Sequence, residues 1–160
     1  MAIVEAKKEI KPLRSTDRID LALMKAGKFE ITPDMNFTVK VFLKEIDGRW
    51  ILMNRGGEDT EEHEVVFRMW TFNEMIEMKK LSTNFDPQKR IHLTDNDMLN
   101  RLKIQRFLLS WTFDRDNPRL KIQHLQGVMT DEGWDAFIRL QPNISTYIIE
   151  EMNKVYDFNG

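Results

Sequence analysis

The stretch NFTVKVFLKEIDGRWILM, residues 36–53, constrains this chain more than any other. Phe37, Val39, Val41 and Leu43 fall on one face of an extended strand, and Thr38, Lys40 and Lys44 fall on the other. Asp47-Gly48 then supplies the residue pair that a two-residue hairpin turn wants, because both central positions of that turn need a positive φ. Residues 50–53 return as the second strand. A sheet with one buried face is therefore required, and the rest of the chain must cover that face.

The segment RGGEDTEEHE that follows, with Glu58, Asp59, Glu61, Glu62 and Glu64, reads as a solvated acidic loop. It lacks the spacing and the internal glycine of a calcium loop. Val65, Phe67 and Met69 alternate with Val66, Arg68 and Trp70, which predicts a third strand beside the hairpin. At Thr71 the period changes. Thr71 and Glu74 stand in the T-x-x-E spacing in which each side chain satisfies a backbone N–H at a helix start, predicting a helix over 72–81. STNFDPQKR, with Pro87, breaks that helix and reads as a polar connection.

RIHLTDNDMLNR, residues 90–101, gathers a histidine, two aspartates and two asparagines just before an apolar run. Helix initiation accounts for its polarity: Thr94 and Asp97 match a capping-box variant, and Asp95 places negative charge at the positive end of the helix dipole. Met98, Leu99, Leu102, Ile104, Phe107, Leu108, Leu109 and Trp111 spread around most of a helical wheel, leaving Lys103, Arg106 and Ser110 as a narrow polar strip. A helix that apolar is expected at the centre of a domain. Further on, Leu120 to Leu125 suits a short extended stretch before Gly127, and Thr130 caps a helix carrying Trp134, Phe137 and Ile138. Pro142 opens a last helix lined on one side by Ile144, Tyr147, Ile148, Met152 and Val155.

Ahead of the hairpin, residues 1–14 form a mixed-charge arm with Lys7, Lys8, Lys11 and Arg14 against Glu5 and Glu9. Ser15, Thr16 and Asp17 are capping types before Ile19, Ala22, Leu23 and Ala26 at helical spacing, with Gly27 placed to end a short helix. The expected fold class is α+β: a small antiparallel sheet of a hairpin plus a third strand, a C-terminal helical bundle and an N-terminal arm. Residues 15–160 are expected to form one domain, with the helix and sheet over 15–70 and the helical part over 71–160.

Composition narrows function mainly by exclusion. A length of 160 residues with 41% hydrophobic and 31% charged residues fits an ordinary folded domain, and a net charge of −2 predicts no polyanion partner. The absence of cysteine removes disulfides, thiolate metal sites and thiol nucleophiles. No apolar run approaches the roughly 20 residues that span a bilayer, so no membrane partner is expected. The ten methionines suit irregular core gaps and adaptable contact surfaces.

His63, His92 and His124 are the available imidazole bases, and none sits in a nucleophile elbow, a phosphate-cradling loop or an H-E-x-x-H motif. Each reads as a surface or capping residue. No catalytic, cofactor-binding or metal-binding residues are expected, no cofactor and no small-molecule substrate. Lys89, Arg90, Arg101, Lys103, Arg106, Arg115, Arg119 and Lys121 make the middle of the chain locally basic. The aromatics Phe107, Trp111 and Phe113 fall on the apolar side, so the stacking pattern of a single-strand binder is not evident. A small regulatory or nucleic-acid-associated module is accordingly the alternative reading, with nucleic acid ranked below protein as a partner.

Three segments carry a family likeness: EVVFRMWTFNEMIEMKK, NRLKIQRFLLSWTF and GWDAFIRLQPNISTYIIEEMN. Together they resemble small tail or baseplate assembly proteins of tailed bacteriophages, over about residues 63–155. The resemblance implies a non-enzymatic structural or assembly protein, present in the host cytoplasm during assembly and in the virion if retained. Its expected partners are other virion proteins or copies of itself. Ile10, Leu13 and Arg14 on the arm, and Trp50 and Met53 on the hairpin edge, are the candidate contact residues.

Overall fold

Asp47 (φ 51°) and Gly48 (φ 76°) take the two positive φ values of the hairpin turn between strands β1 (Asn36–Ile46) and β2 (Arg49–Met53). The computed structural model describes residues 30–32 and 34–155. The expected arm, with Ile10, Leu13 and Arg14, and the helix expected before Gly27 lie outside the described residues. Strand β3 (Thr60–Arg68) pairs with β1 over its length, so the acidic segment is not all loop: the loop ends at Asp59, and Glu61, Glu62 and Glu64 stand in β3. The alternation of β1 decides this, because Phe37, Val39 and Val41 need Phe67, Val65 and His63 opposite them on the same face.

Helix α1 (Phe72–Leu81) begins with the full capping box of Thr71 and Glu74. Arg68 of β3 grips Glu74 with both guanidinium nitrogens, at 3.1 and 2.7 Å, so the end of the strand and the start of the helix are tied together. The polar connection expected around Pro87 is instead a second hairpin, β4 (Thr83–Asp86) and β5 (Ile91–Thr94). Its turn is closed by the Asp86 carboxylate, which accepts from the backbone N–H groups of Gln88 and Lys89, and by Arg90 at φ 54°.

Helix α2 (Asn96–Phe107) starts one residue later than expected. Asp95 is its N-cap and accepts from Met98 N–H at 3.1 Å. Thr94 is the last residue of β5, with its hydroxyl 3.2 Å from that of Thr83, and Asp97 stands in the first turn. Pairing of β4 with β5 keeps Thr94 in the strand and hands the cap to the next residue that has a side-chain acceptor.

The expected apolar helix over 98–111 also ends early. From Leu108 the chain extends as β6 (Leu108–Trp111) and pairs with β3, with a register shift at Val66/Phe67 that leaves Leu109 unmatched and exposed. An apolar run of this kind suits a buried helix or a strand equally, and the free side of β3 decides between them. The strand order is β2-β1-β3-β6, antiparallel throughout. The second half is therefore not purely helical, and β6 joins it to the N-terminal sheet.

Two 3₁₀ turns, Phe113–Arg115 and Pro118–Leu120, lead to a small ribbon of β7 (His124–Leu125) and β8 (Val128–Met129). Thr130 caps α3 (Asp131–Ile138), and Pro142 opens α4 (Pro142–Lys154). A Cβ at Gly133 would lie 2.6 Å from Met129 Cγ and 2.8 Å from the carbonyl oxygen of Gln123, so the glycine that weakens the first turn of α3 is what lets it close on the ribbon.

One core runs through both halves. Phe37, Val39, Val41 and Leu43 of β1, Val65 and Phe67 of β3, and Leu108 and Trp111 of β6 face Met78, Ile104, Phe107, Phe137, Ile148 and Met152 from the helices. Phe67 stacks on Phe37 at 5.1 Å and Trp70 on Phe107 at 4.7 Å, with Trp70 edge-on to Phe37 between them. Because β2 reaches only as far as Phe42, the earlier part of β1 has no strand on that side among the described residues. The Tyr147 hydroxyl of α4 donates to the carbonyl of Lys40 there, at 3.1 Å.

Candidate protein-contact surfaces

The four-stranded sheet has two unlike edges. Along β6 the chain folds back on itself: Trp111 Nε1–H donates to Leu120 O at 2.6 Å, His124 Nε2 lies 2.8 Å from Leu108 O, and Thr112 N–H donates to Glu64 O. Along β2, no further strand pairs with the edge among the described residues. Trp50 and Ile51 on β2 are 40% and 39% exposed, and Ile46 on the turn beside them is exposed as well. Cross-strand register puts Ile46, Lys44, Arg49 and Ile51 on the outer face of the sheet and Trp50 on the core face. Met53, the other expected contact residue of the hairpin, is half-buried. The loop after β2 lies over the outer face, where Gly56 packs so closely on the Phe42 ring that a Cβ would sit 2.9 Å from it.

A second surface was not legible as one. The β4–β5 hairpin packs chiefly on itself, and register places Phe85 and His92 on one of its faces and Ile91 and Leu93 on the other. All are open to solvent: Phe85 is 55% exposed, Ile91 45% and Leu93 47%. The base of this hairpin is firm, with Asp95 N–H donating to Ser82 O at 2.7 Å. An isolated two-stranded ribbon is at best marginal in water, so apolar residues on both faces are costly unless they meet something. The sequence signal was the alternation of Ile91 and Leu93 behind a Pro87-containing turn.

Titratable groups gather elsewhere. His63, expected at the surface, is only 7% exposed, because its place opposite Val41 on the core face carries it inward. Its Nε2 lies 2.6 Å from Glu61 Oε1 and its Nδ1 3.0 Å from Thr112 Oγ1, which also accepts from Glu64 N–H. This carboxylate–imidazole–hydroxyl chain fastens the end of β6 to β3. Asp116 is near enough that a ligand atom from each of Glu61, His63 and Asp116 lies within 4.8 Å of the others. A cation there would have to break the His63–Glu61 hydrogen bond, since two ligands of one tetrahedral ion at bond lengths near 2 Å stand about 3.3 Å apart.

Three of the central cations, those on α2, are engaged within the fold, while Lys89, Arg90, Arg115, Arg119 and Lys121 are exposed. Lys103, expected on a polar strip, is buried and donates to Asn153 Oδ1 at 2.8 Å; Asn153 in turn donates to Asn100. Burial, with Lys79 nearby, holds the Lys103 ammonium below the ordinary lysine range. Arg106 pairs with Glu77, and Arg101 lies over the Trp134 ring at 4.9 Å. That Arg101–Trp134 contact borders an open cleft of about 360 Å³ between α2, α3 and α4, floored by Phe137, Leu140 and Ile149.

Among the described residues, no helix is long and apolar enough to cross a membrane. No protein-family model, curated protein or solved structure matches the chain.

Proposed function

We propose that this chain is a non-enzymatic assembly protein of a tailed-phage virion, acting through protein–protein contacts in the tail or baseplate. One observation supports the contact role: among the described residues no strand pairs with the β2 edge beside exposed Trp50 and Ile51, whereas on the β6 side the returning chain covers the Leu108 carbonyl with His124. Natural proteins blunt free edges because an open one is a template for pairing with another chain. The exposed β4–β5 hairpin adds a second such surface. The particle is suggested by the resemblance of residues 63–155 to tail and baseplate assembly proteins, and its three segments lie across α1, the α2–β6 junction and α3–α4.

A photo-crosslinking residue at Ile51 or Leu93, in the chain expressed in its native setting, tests this reading. Crosslinks from these positions to tail or baseplate proteins are expected, with fewer from the Arg139 surface position. A chain that elutes as a monomer from that setting and crosslinks to no virion protein would overturn it.

A further inference from the structure

The two exposed apolar surfaces carry opposite charge. Beside the open edge, the β1–β2 turn and the loop after β2 carry Glu45, Asp47, Glu58 and Asp59 against Lys44, Arg49 and Arg55. Glu45 lies directly across from Trp50, and Glu45, Asp47, Glu58 and Asp59 are all exposed. The hairpin has the reverse balance: Lys79 and Lys80 lead into it and Lys89 and Arg90 form its tip, all four exposed, against Asp86 in the turn and Asp95 at the base. The Asp86 carboxylate is already engaged by two backbone N–H groups in the turn.

The sizes match as well as the charges. β2 has five residues, and β4 and β5 have four each. Each strand of the hairpin has an outer edge with no partner strand among the described residues. Phe85, Ile91 and Leu93 on the hairpin could cover Trp50 and Ile51 on the edge, with Lys89 and Arg90 brought to the acidic rim.

We infer that the occupant of the open β2 edge is the β4–β5 hairpin of a second copy of this chain. The inference rests on the contact role proposed above and names its partner. The two surfaces differ, so the contact is heterologous: each bound copy still presents one free edge and one free hairpin, and association continues head to tail. Opposite charge favours this register over edge-to-edge or hairpin-to-hairpin pairing, where like charges would meet.

The test is sedimentation velocity on the purified full chain at about 100 μM, from ~0.01 M to ~1 M salt, over which the screening length falls from about 30 Å to about 3 Å. Wild-type chain is expected to form oligomers that grow with concentration and shrink as salt rises. Two charge-reversal pairs should each abolish them: Lys89→Glu with Arg90→Glu on the hairpin, and Glu45→Lys with Glu58→Lys at the edge. Mixing the two variants should restore assembly, because an acidic hairpin then meets a basic edge and a basic hairpin meets an acidic edge. Restoration also shows that both variants are folded.

A wild-type chain that stays monomeric at low salt overturns the inference, as does either variant assembling like wild type, or a mixture of the two folded variants that remains monomeric. The broader reading fails differently. A monomeric chain that still crosslinks through Ile51 to other virion proteins sinks self-association and leaves the assembly role intact, whereas crosslinks to nothing sink both.

Discussion

The β6 and β2 edges of one sheet face the same physical problem and meet it in opposite ways. At β6 the chain after the strand returns, so the Leu108 carbonyl meets the His124 ring, and the Trp111 indole ties the strand to the returning chain at the Leu120 carbonyl. At β2, after a two-residue turn and a five-residue strand, no further strand covers the backbone among the described residues, and the apolar residues beside it are exposed. On the proposed reading, the β6 side serves stability and the β2 edge serves contact. Substitutions on the two sides should therefore separate folding from association.

The largest separation is expected between two tryptophans. Trp111→Ala on the closed edge removes a buried ring that stacks on Phe137 and packs edge-on to Phe113, and should cost about 3–5 kcal/mol in urea unfolding. Trp50→Ala on the open edge should leave stability within about 0.5 kcal/mol of wild type while weakening oligomers. Equal destabilisation by both would break the comparison. A smaller effect should follow His124→Ala, which strips the buried Leu108 carbonyl of its ring partner at a cost of about 1–2 kcal/mol by the same measurement.

The base of the exposed hairpin offers a finer contrast. Asp95→Ala removes the cap of α2 and should cost about 1 kcal/mol, whereas Thr94→Ala, losing only an exposed hydroxyl contact with Thr83, should cost a few tenths. A thermal-melt series in which Thr94→Ala is the more damaging would restore the sequence-based assignment of the cap to Thr94.

Period-two alternation made the first hairpin, its Asp47-Gly48 turn and the third strand readable from the sequence, and the Thr71/Glu74 spacing gave α1 with its cap. These signals are local: a few neighbouring residues fix the φ values and the hydrogen bonds. The miss at Leu108 was of another kind. Nothing in RFLLSW distinguishes the end of a helix from the beginning of a strand, because what extends the chain there is the free side of β3, more than 40 residues earlier in sequence. His63 was misread for the same reason. Its burial follows from register against Val41, and its partners come from Glu61 and from Thr112 across the sheet. Of the exposed apolar patches, the one around Trp50 follows from the first hairpin, whereas the β4–β5 hairpin was missed, since Pro87 and the polar residues around it mask a strand pattern of only four residues on each side.

One carboxylate on the folded side of this contrast has a pH dependence of its own. Arg68, at the end of β3, bonds the Glu74 carboxylate and lies over the Phe107 ring, so one guanidinium joins strand, α1 and the end of α2 just before β6 begins. That bond holds the Glu74 carboxyl below the usual carboxylate range, with the Thr71 backbone adding to the effect and partial burial opposing it. A folded-state pKa below the unfolded one means that the stabilisation is fully present above the unfolded value and is lost as pH falls through the folded one. The pair is partly exposed, so its share is a few tenths to about 1 kcal/mol. Glu74→Gln should be less stable than wild type at neutral pH by that amount, and the gap should close as pH falls below the ordinary glutamate range. Oligomer formation at the open edge should not distinguish the two proteins at neutral pH. A gap that stays constant with pH would show that the Arg68–Glu74 contact works through shape rather than charge.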